Sequence, residues 1–246
     1  MIWPSEPSLD IRGRGETGRR SRLKICFPKR ECGFDSRRPH HMNEIKAEDL
    51  HLWRGEVHVL RGLSFVVNGG ECLQVTGANG SGKTTLLRAL CGLVPLEQGR
   101  ICWRGADIAF DPSAYHSELA YLGHDNGLKG DLTATENLRF ELGLRRRLAA
   151  TDFAAALARV GLGEQGGLPL RRLSAGQRRR VALARLSLMG AALWILDEPS
   201  SNLDAGGQAL LVELLEAHLG AGGAAIVATH QGLDLPTGQL RTVTLQ

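Results

Sequence analysis

The sequence predicts an α/β fold with a mixed sheet core and a helical insertion. Three observations predict it. Short apolar runs alternate with stretches of helical periodicity from Ile45 onward. A Gly-rich segment, GANGSGKT at residues 77–84, stands between the apolar run Cys72–Thr76 and a helical run beginning at Thr85. A second apolar run, Leu193-Trp194-Ile195-Leu196, ends in the carboxylates Asp197 and Glu198, which is where open α/β sheets put their ligands.

The elements follow in order. Ile45–Leu52 and Val57–Val67 read as strands, the second with partial alternation. Asn68-Gly69-Gly70 reads as a turn, consistent with a hairpin link into a strand at Glu71–Thr76. The Gly-rich loop and a helix from Thr85 to Leu90 come next, then a short strand at Ile101–Trp103 and a Pro-containing loop. Leu119–Leu122 reads as a strand. Residues 133–160 and 175–190 carry helical periodicity, and Thr133-Ala134-Thr135-Glu136 has the form of a capping box. Leu193–Leu196 and Ala224–Thr229 read as buried strands flanking a helix at 205–219. No internal repeat is present.

Composition bounds the possibilities. The chain has 246 residues, 43% hydrophobic and 23% charged, the profile of a globular domain with a sizeable core. No uninterrupted apolar run reaches about 18 residues, so no spanning helix is expected. The net charge of +4 is uneven. Residues 1–41 carry ten Lys and Arg against five Asp and Glu, and the rest of the chain is close to neutral. That leaves no bulk basic signal for nucleic acid in residues 42–246. Residues 1–41 read as a basic, disordered tail or a mis-assigned start ahead of Met42. The five cysteines are odd in number and lack C-x-x-C spacing, which argues against a disulfide framework or a zinc site. Cys72, Cys91 and Cys102 sit in apolar runs and read as small buried hydrophobes of a reducing compartment.

The chemistry starts from the Gly-rich loop. Gly77, Gly80 and Gly82 allow the backbone to turn with its N–H groups inward around phosphates. Ala78, Asn79, Ser81 and Thr85 complete the loop and the first turn of the helix, whose N-terminus favours anions. Lys83 brings a positive charge to the β- and γ-phosphates, and Thr84 offers a hydroxyl to Mg²⁺. ATP and Mg²⁺ are the ligands this predicts. Asp197 is placed to hold the metal, and Glu198 to orient or deprotonate an attacking water.

Leu173-Ser174-Ala175-Gly176-Gln177 stands directly before an Arg-rich helical segment. By itself it reads equally well as an ordinary helix N-cap. With the loop and the Asp-Glu pair, it resembles the LSGGQ signature of ABC transporter ATP-binding subunits, with Ala175 in place of a glycine. The resemblance covers roughly residues 45–235 and implies a P-loop NTPase of ABC type, with a helical subdomain at about 124–190. It implies that Ser174, Gly176 and Gln177 meet the nucleotide of a second copy, so that the active unit is a homodimer. Ser201-Asn202-Leu203-Asp204 resembles the family's interface loop. Ala228-Thr229-His230 resembles its switch motif, which makes His230 a catalytic residue beside Glu198. By spacing, His124 stands where the family has a metal-contacting Gln, and Trp53 is the nearest aromatic for stacking on adenine. The run Arg178–Arg180 reads as a solvated helix face.

Local texture narrows the resemblance further. Tyr121-Leu122-Gly123-His124, Leu132-Thr133-Ala134-Thr135-Glu136-Asn137-Leu138 and Ala228-Thr229-His230-Gln231-Gly232-Leu233 are similar to the CcmA family, ATP-binding subunits of the haem exporter of cytochrome c maturation. The resemblance implies an integral membrane partner, an indirect haem chaperone partner, and a peripheral position on the cytoplasmic face of the bacterial inner membrane. Two alternatives stay open on the residues: an ABC ATPase exporting another cargo such as a drug or lipid, and a soluble non-transport ABC ATPase.

Overall fold

A computed structural model of the chain describes residues 43–143, 149–236 and 238–245. The expectations for residues 1–41 and for Met42 lie outside the described residues. Two sheets form the core. Strands β1 (Glu44–Arg54), β2 (Val57–Asn68), β4 (Gln98–Trp103) and β5 (Ala106–Asp107) make an antiparallel sheet in the order β2-β1-β4-β5. Strands β3 (Cys72–Gly77), β6 (Leu119–Leu122), β7 (Leu193–Asp197), β8 (Ala224–Ala228) and β9 (Leu240–Leu245) make a parallel sheet in the order β6-β7-β8-β3-β9.

The parallel sheet is covered on both faces, and its residues alternate between two cores. Leu193 and Ile195 face one side, with Leu73, Val75 and Ile226. There they pack on helix α1 (Lys83–Leu90) through Leu86, Leu87 and Leu90, and on Ile45, Leu50 and Ile101 of the antiparallel sheet. Trp194 and Leu196 face the other side. There they meet helix α5 (Ala175–Leu188), helix α6 (Ala205–Gly220) and the helices of the insertion. Every residue of β7 and β8 is buried, which accounts for their unbroken apolar character.

The insertion holds α3 (Ala134–Leu142) and α4 (Ala150–Arg159), which pack on α5 through Leu138, Leu142, Phe153 and Leu157. The capping box is formed: Thr133 Oγ1 accepts from Glu136 N at 3.1 Å, and Glu136 Oε2 accepts from Thr133 N at 2.8 Å. The single helical stretch expected over 133–160 is two helices, since Gly143 caps α3 and residues 144–148 lie outside the described residues. The loop expected after β4 contains a short helix, α2 (Pro112–Ser117). Its N-cap Asp111 accepts from Ala114 N at 3.0 Å, and Pro112 sits where a missing N–H costs nothing.

One link is corrected. Asn68–Gly70 does not close a hairpin, because β2 pairs with β1 and β3 lies between β8 and β9. The reason is burial: β3 is buried along both faces over Cys72–Val75, so it needs a parallel neighbour on each side rather than the half-exposed β2. The cysteines also differ from expectation in part. Cys72 and Cys91 are buried free thiols, pushed up to about 12 chiefly by burial. Cys102 is disulfide-bonded. Pairing depends on which cysteine the fold brings within bonding distance, which sequence spacing does not report.

Candidate nucleotide site

The parallel register brings the working segments to one edge. Val75 and Asp197 both pair with Ala228, so β3, β7 and β8 end together. Their C-terminal ends carry the Gly-rich loop, the Asp197–Glu198 pair and His230.

Lys83 is 8% exposed, and its Nζ donates to Gly77 O at 2.8 Å and Ala78 O at 3.1 Å. The ammonium is thereby held over the loop. Gly82 caps α1 at φ 98° with no side-chain hydrogen bond to the helix amides, so those amides face the loop. Ser81 Oγ is buried without a hydrogen-bond partner among the described residues. Together these make a positive, donor-rich concavity of the kind that holds phosphates.

Opposite the loop, Asp197 is 2% exposed and its Oδ2 has no hydrogen-bond partner among the described residues. A buried carboxylate oxygen without a partner and the hydroxyl residue Thr84, lining the same cavity, are oxygen donors of the kind that fit a hard divalent cation. Glu198 leaves the strand at φ 47°, a left-handed conformation that a non-Gly residue adopts at a cost of about 1–3 kcal/mol. Its N–H donates to Ala228 O at 2.8 Å. His230 Nδ1 lies 3.0 Å from Glu198 Oε2, although Oε2 lacks the alignment of a hydrogen bond. Gln74, buried in β3, donates to Gln231 O at 2.8 Å and so fixes the segment that carries His230.

A cavity of about 360 Å³ joins these parts. Asn79, Gly80, Gly82, Lys83, Thr84 and Thr85 line it on one side, and Asp197 and Glu198 on the other. Several sequence-predicted residues do not line it: Gly77, Ala78 and Ser81 of the loop, His230, Trp53 and His124. Trp53 stacks on His58, and His124 is exposed on the segment after β6. The signature residues are also elsewhere. Ser174 caps α5, accepting from Gln177 N at 3.1 Å while Gln177 Oε1 accepts from Ser174 N at 2.9 Å. Gly176 lies against the loop at Asn202, where an added Cβ would fall 2.7 Å from Asn202 O.

Sequence reasoning missed Arg179. It is not on a solvated face but 1% exposed. Its guanidinium donates to Pro199 O at 3.0 Å, Glu198 O at 2.7 Å, Asp197 O at 3.2 Å, Gly123 O at 2.9 Å and Asn126 Oδ1 at 2.9 Å. Burial lowers its pKa to about 10, still well charged. The signal was available: Ala182, Leu183 and Leu186 follow it at the spacings of one buried helix stripe. Arg180 instead pairs with Asp204 at 2.6 Å.

The comparisons agree with this arrangement. A family model described as ABC transporter matches residues 60–201. A cytochrome c biogenesis ATP-binding export protein, CcmA, of Methylococcus capsulatus is 47% identical over 200 residues, covering 81% of this chain and 96% of that protein. The protein of the same description in Nitrosococcus oceani is 45% identical over 207 residues, covering 84% and 93%. A solved ATP-binding subunit of an ABC transporter superposes with a TM-score of 0.70 at 26% identity, covering 76% of this chain and 79% of that one. The chain therefore belongs to the ABC transporter ATP-binding family and, within it, to the CcmA group of cytochrome c biogenesis ATP-binding export proteins.

Proposed function

We propose that the chain turns over ATP to drive haem export or delivery in cytochrome c biogenesis, as the ATPase of a membrane complex. The observation that carries the ATPase reading is the cavity in which Lys83 and Thr84 face Asp197 and Glu198. Lys83 and the α1 amides hold the β- and γ-phosphates. Thr84 and Asp197 are the residues that would hold Mg²⁺, which when bound neutralises charge on the phosphate oxygens. Glu198 orients the attacking water and takes its proton, and His230, 3.0 Å from it, steadies the carboxylate and the γ-phosphate. Catalysis is then mostly positioning and electrostatics.

Two copies are proposed to sandwich two ATP molecules, each between one phosphate loop and the Ser174–Gln177 segment of the other. The support is that Ser174 is exposed and absent from its own chain's cavity. No helix among the described residues is long and apolar enough to cross a membrane. The proposed position is peripheral, on the cytoplasmic face of a bacterial inner membrane, held by an integral membrane subunit, with a haem chaperone served indirectly. A groove of about 700 Å³ supports that partner: Leu93 and Phe140 are exposed along it, beside Gly123, Asp125 and Asn126 of the segment that Arg179 ties to Glu198.

The test is a haem stain for c-type cytochromes in cells whose only copy carries Glu198→Gln. ATP binding is expected to persist while hydrolysis falls about 10²–10⁴-fold. Loss of the c-type bands with other haem proteins intact supports the reading. Normal c-type bands with an expressed, ATPase-dead protein would overturn the haem assignment, and wild-type hydrolysis would overturn the role of Glu198.

A further inference from the structure

We infer that His51 and His58 form a binding site for a divalent transition metal such as Zn²⁺ on the β1–β2 hairpin. Neither residue lines the nucleotide cavity. The two imidazoles face one another: His51 Nδ1 lies 3.1 Å from His58 Nε2, and the ring centroids are 5.1 Å apart with 22° between planes. Two nitrogens held about 2.0–2.1 Å from one ion, at roughly 100° to each other, stand about 3.1 Å apart. The pair therefore already has the span of two ligands on one ion. A hydrogen bond between the two nitrogens needs one proton, and an ion takes that proton's place.

The strand pairing builds this pair. His51 and Trp53 stand on either side of buried Leu52, so they share the outer face of β1. His58 of β2 is the direct cross-strand partner of Trp53. Its ring stacks on the indole at 3.8 Å between centroids and 4° between planes, which sets the plane of one ligand ring. Asp49 sets the other. It lies where the β1–β2 register shifts, between Ala47 and Leu50, and has a φ of 49°; irregularities of this kind re-aim a side chain. Its N–H donates to Ser64 Oγ at 2.9 Å, and its Oδ1 lies 3.2 Å from His51 Nε2. Gly62 leaves room for both groups: a Cβ there would stand 3.2 Å from Asp49 Oδ1 and 3.5 Å from His51 Nε2. A carboxylate at Nε2 keeps the proton on that nitrogen and leaves the lone pair on Nδ1, the nitrogen that faces His58. A carboxylate in this position is the usual support behind an imidazole that ligates a metal.

The class of ion follows from the donors. Imidazole nitrogens suit Zn²⁺, Cu²⁺ or Ni²⁺ rather than the hard Mg²⁺ proposed for the nucleotide site. No group of three or more His, Cys, Asp or Glu suited to a metal occurs among the described residues, so water completes the shell of an ion held here by two imidazoles. Both rings are half-buried, which leaves the ion and its waters a way in. The charged neighbours are turned to the backbone: Glu97 Oε2 accepts from Trp53 N at 3.3 Å, and Arg61 Nε donates to His58 O at 3.1 Å.

Zn²⁺ binding is measured by calorimetry near neutral pH, in excess Mg²⁺, on the full chain and on His51→Gln, His58→Gln and Asp49→Asn. The unaltered chain is expected to bind one equivalent more than either glutamine variant. Asp49→Asn should keep that equivalent and weaken it about 10–100-fold. Equal Zn²⁺ stoichiometry in the unaltered chain and both glutamine variants would overturn the inference, as would loss of the extra equivalent to competing Mg²⁺. Unchanged affinity in Asp49→Asn would overturn the part given to Asp49. A second measurement needs no variant: modification of His51 and His58 by diethyl pyrocarbonate, mapped by mass spectrometry, should slow when Zn²⁺ is added. Labelling of both residues at the same rate with and without Zn²⁺ would overturn the site even if a glutamine variant failed to fold.

Discussion

Asp197 and Glu198 are neighbours in sequence, yet the backbone gives them different duties. Asp197 is the last residue of β7 and sits buried, with one oxygen unpaired among the described residues. Glu198 turns out of the strand through a left-handed φ and comes within 3.0 Å of His230. Held in a costly conformation, Glu198 needs its anchors, the Ala228 carbonyl on its N–H and Arg179 on its own carbonyl. Gly82 shows the opposite economy: it sits at φ 98°, with Val59 so close that any Cβ would clash. Gly82→Ala is therefore expected to lower stability by about 1–3 kcal/mol and to weaken ATP binding as the loop shifts. Thermal denaturation and an ATP titration would read the two effects, and an unchanged melting temperature would count against the strain.

Among the elements, α5 does more than fill the core. Its N-cap is the exposed Ser174, and its second turn sends Arg179 inward to join the segment after β6 to the end of β7. Arg179→Met keeps the bulk but leaves five acceptors without their donor, at an expected cost of about 3–5 kcal/mol. The ATPase turnover number should fall more than ATP affinity, because the acceptors include the Glu198 carbonyl while the phosphate loop is untouched. Urea denaturation and steady-state kinetics test this, and an equal fall in affinity would point to general damage. Helix α6 carries a pH-sensitive contact. His218 stacks on Trp194 at 4.0 Å and donates to Ala224 O at 3.1 Å, and burial lowers its pKa below the ordinary histidine value. The folded state therefore binds this proton less readily than the unfolded chain does. Stability should be full above about pH 6.5 and decline as pH falls below it. His218→Gln should show a shallower decline in melting temperature between about pH 6.5 and 5. An unchanged slope would remove His218 as the cause.

At the scale of the whole molecule, the phosphate cavity and the Ser174–Gln177 segment of one chain do not meet. If the active unit is a sandwich of two copies, Lys83→Ala and Ser174→Arg chains should each be inactive alone. A mixed dimer of the two would hold one site with both defects and one site intact. Co-expression is expected to restore up to about half of wild-type ATPase per mixed dimer, from one working site in two, and no restoration would argue for a site built within a single chain. The sequence by itself determined the phosphate loop, the Asp-Glu strand end, the capped starts of α3 and α5 and the α/β alternation, because each is set by local demands of backbone conformation, periodicity or charge. The tertiary structure decided that β3 pairs with β8 and β9 rather than with β2, that Arg179 is a buried tie, that Trp53 turns to His58, and that His51 meets His58. Those depend on which face of a strand or helix meets which neighbour. That choice is made by how two cores are filled on either side of one sheet, across separations that local pattern does not record.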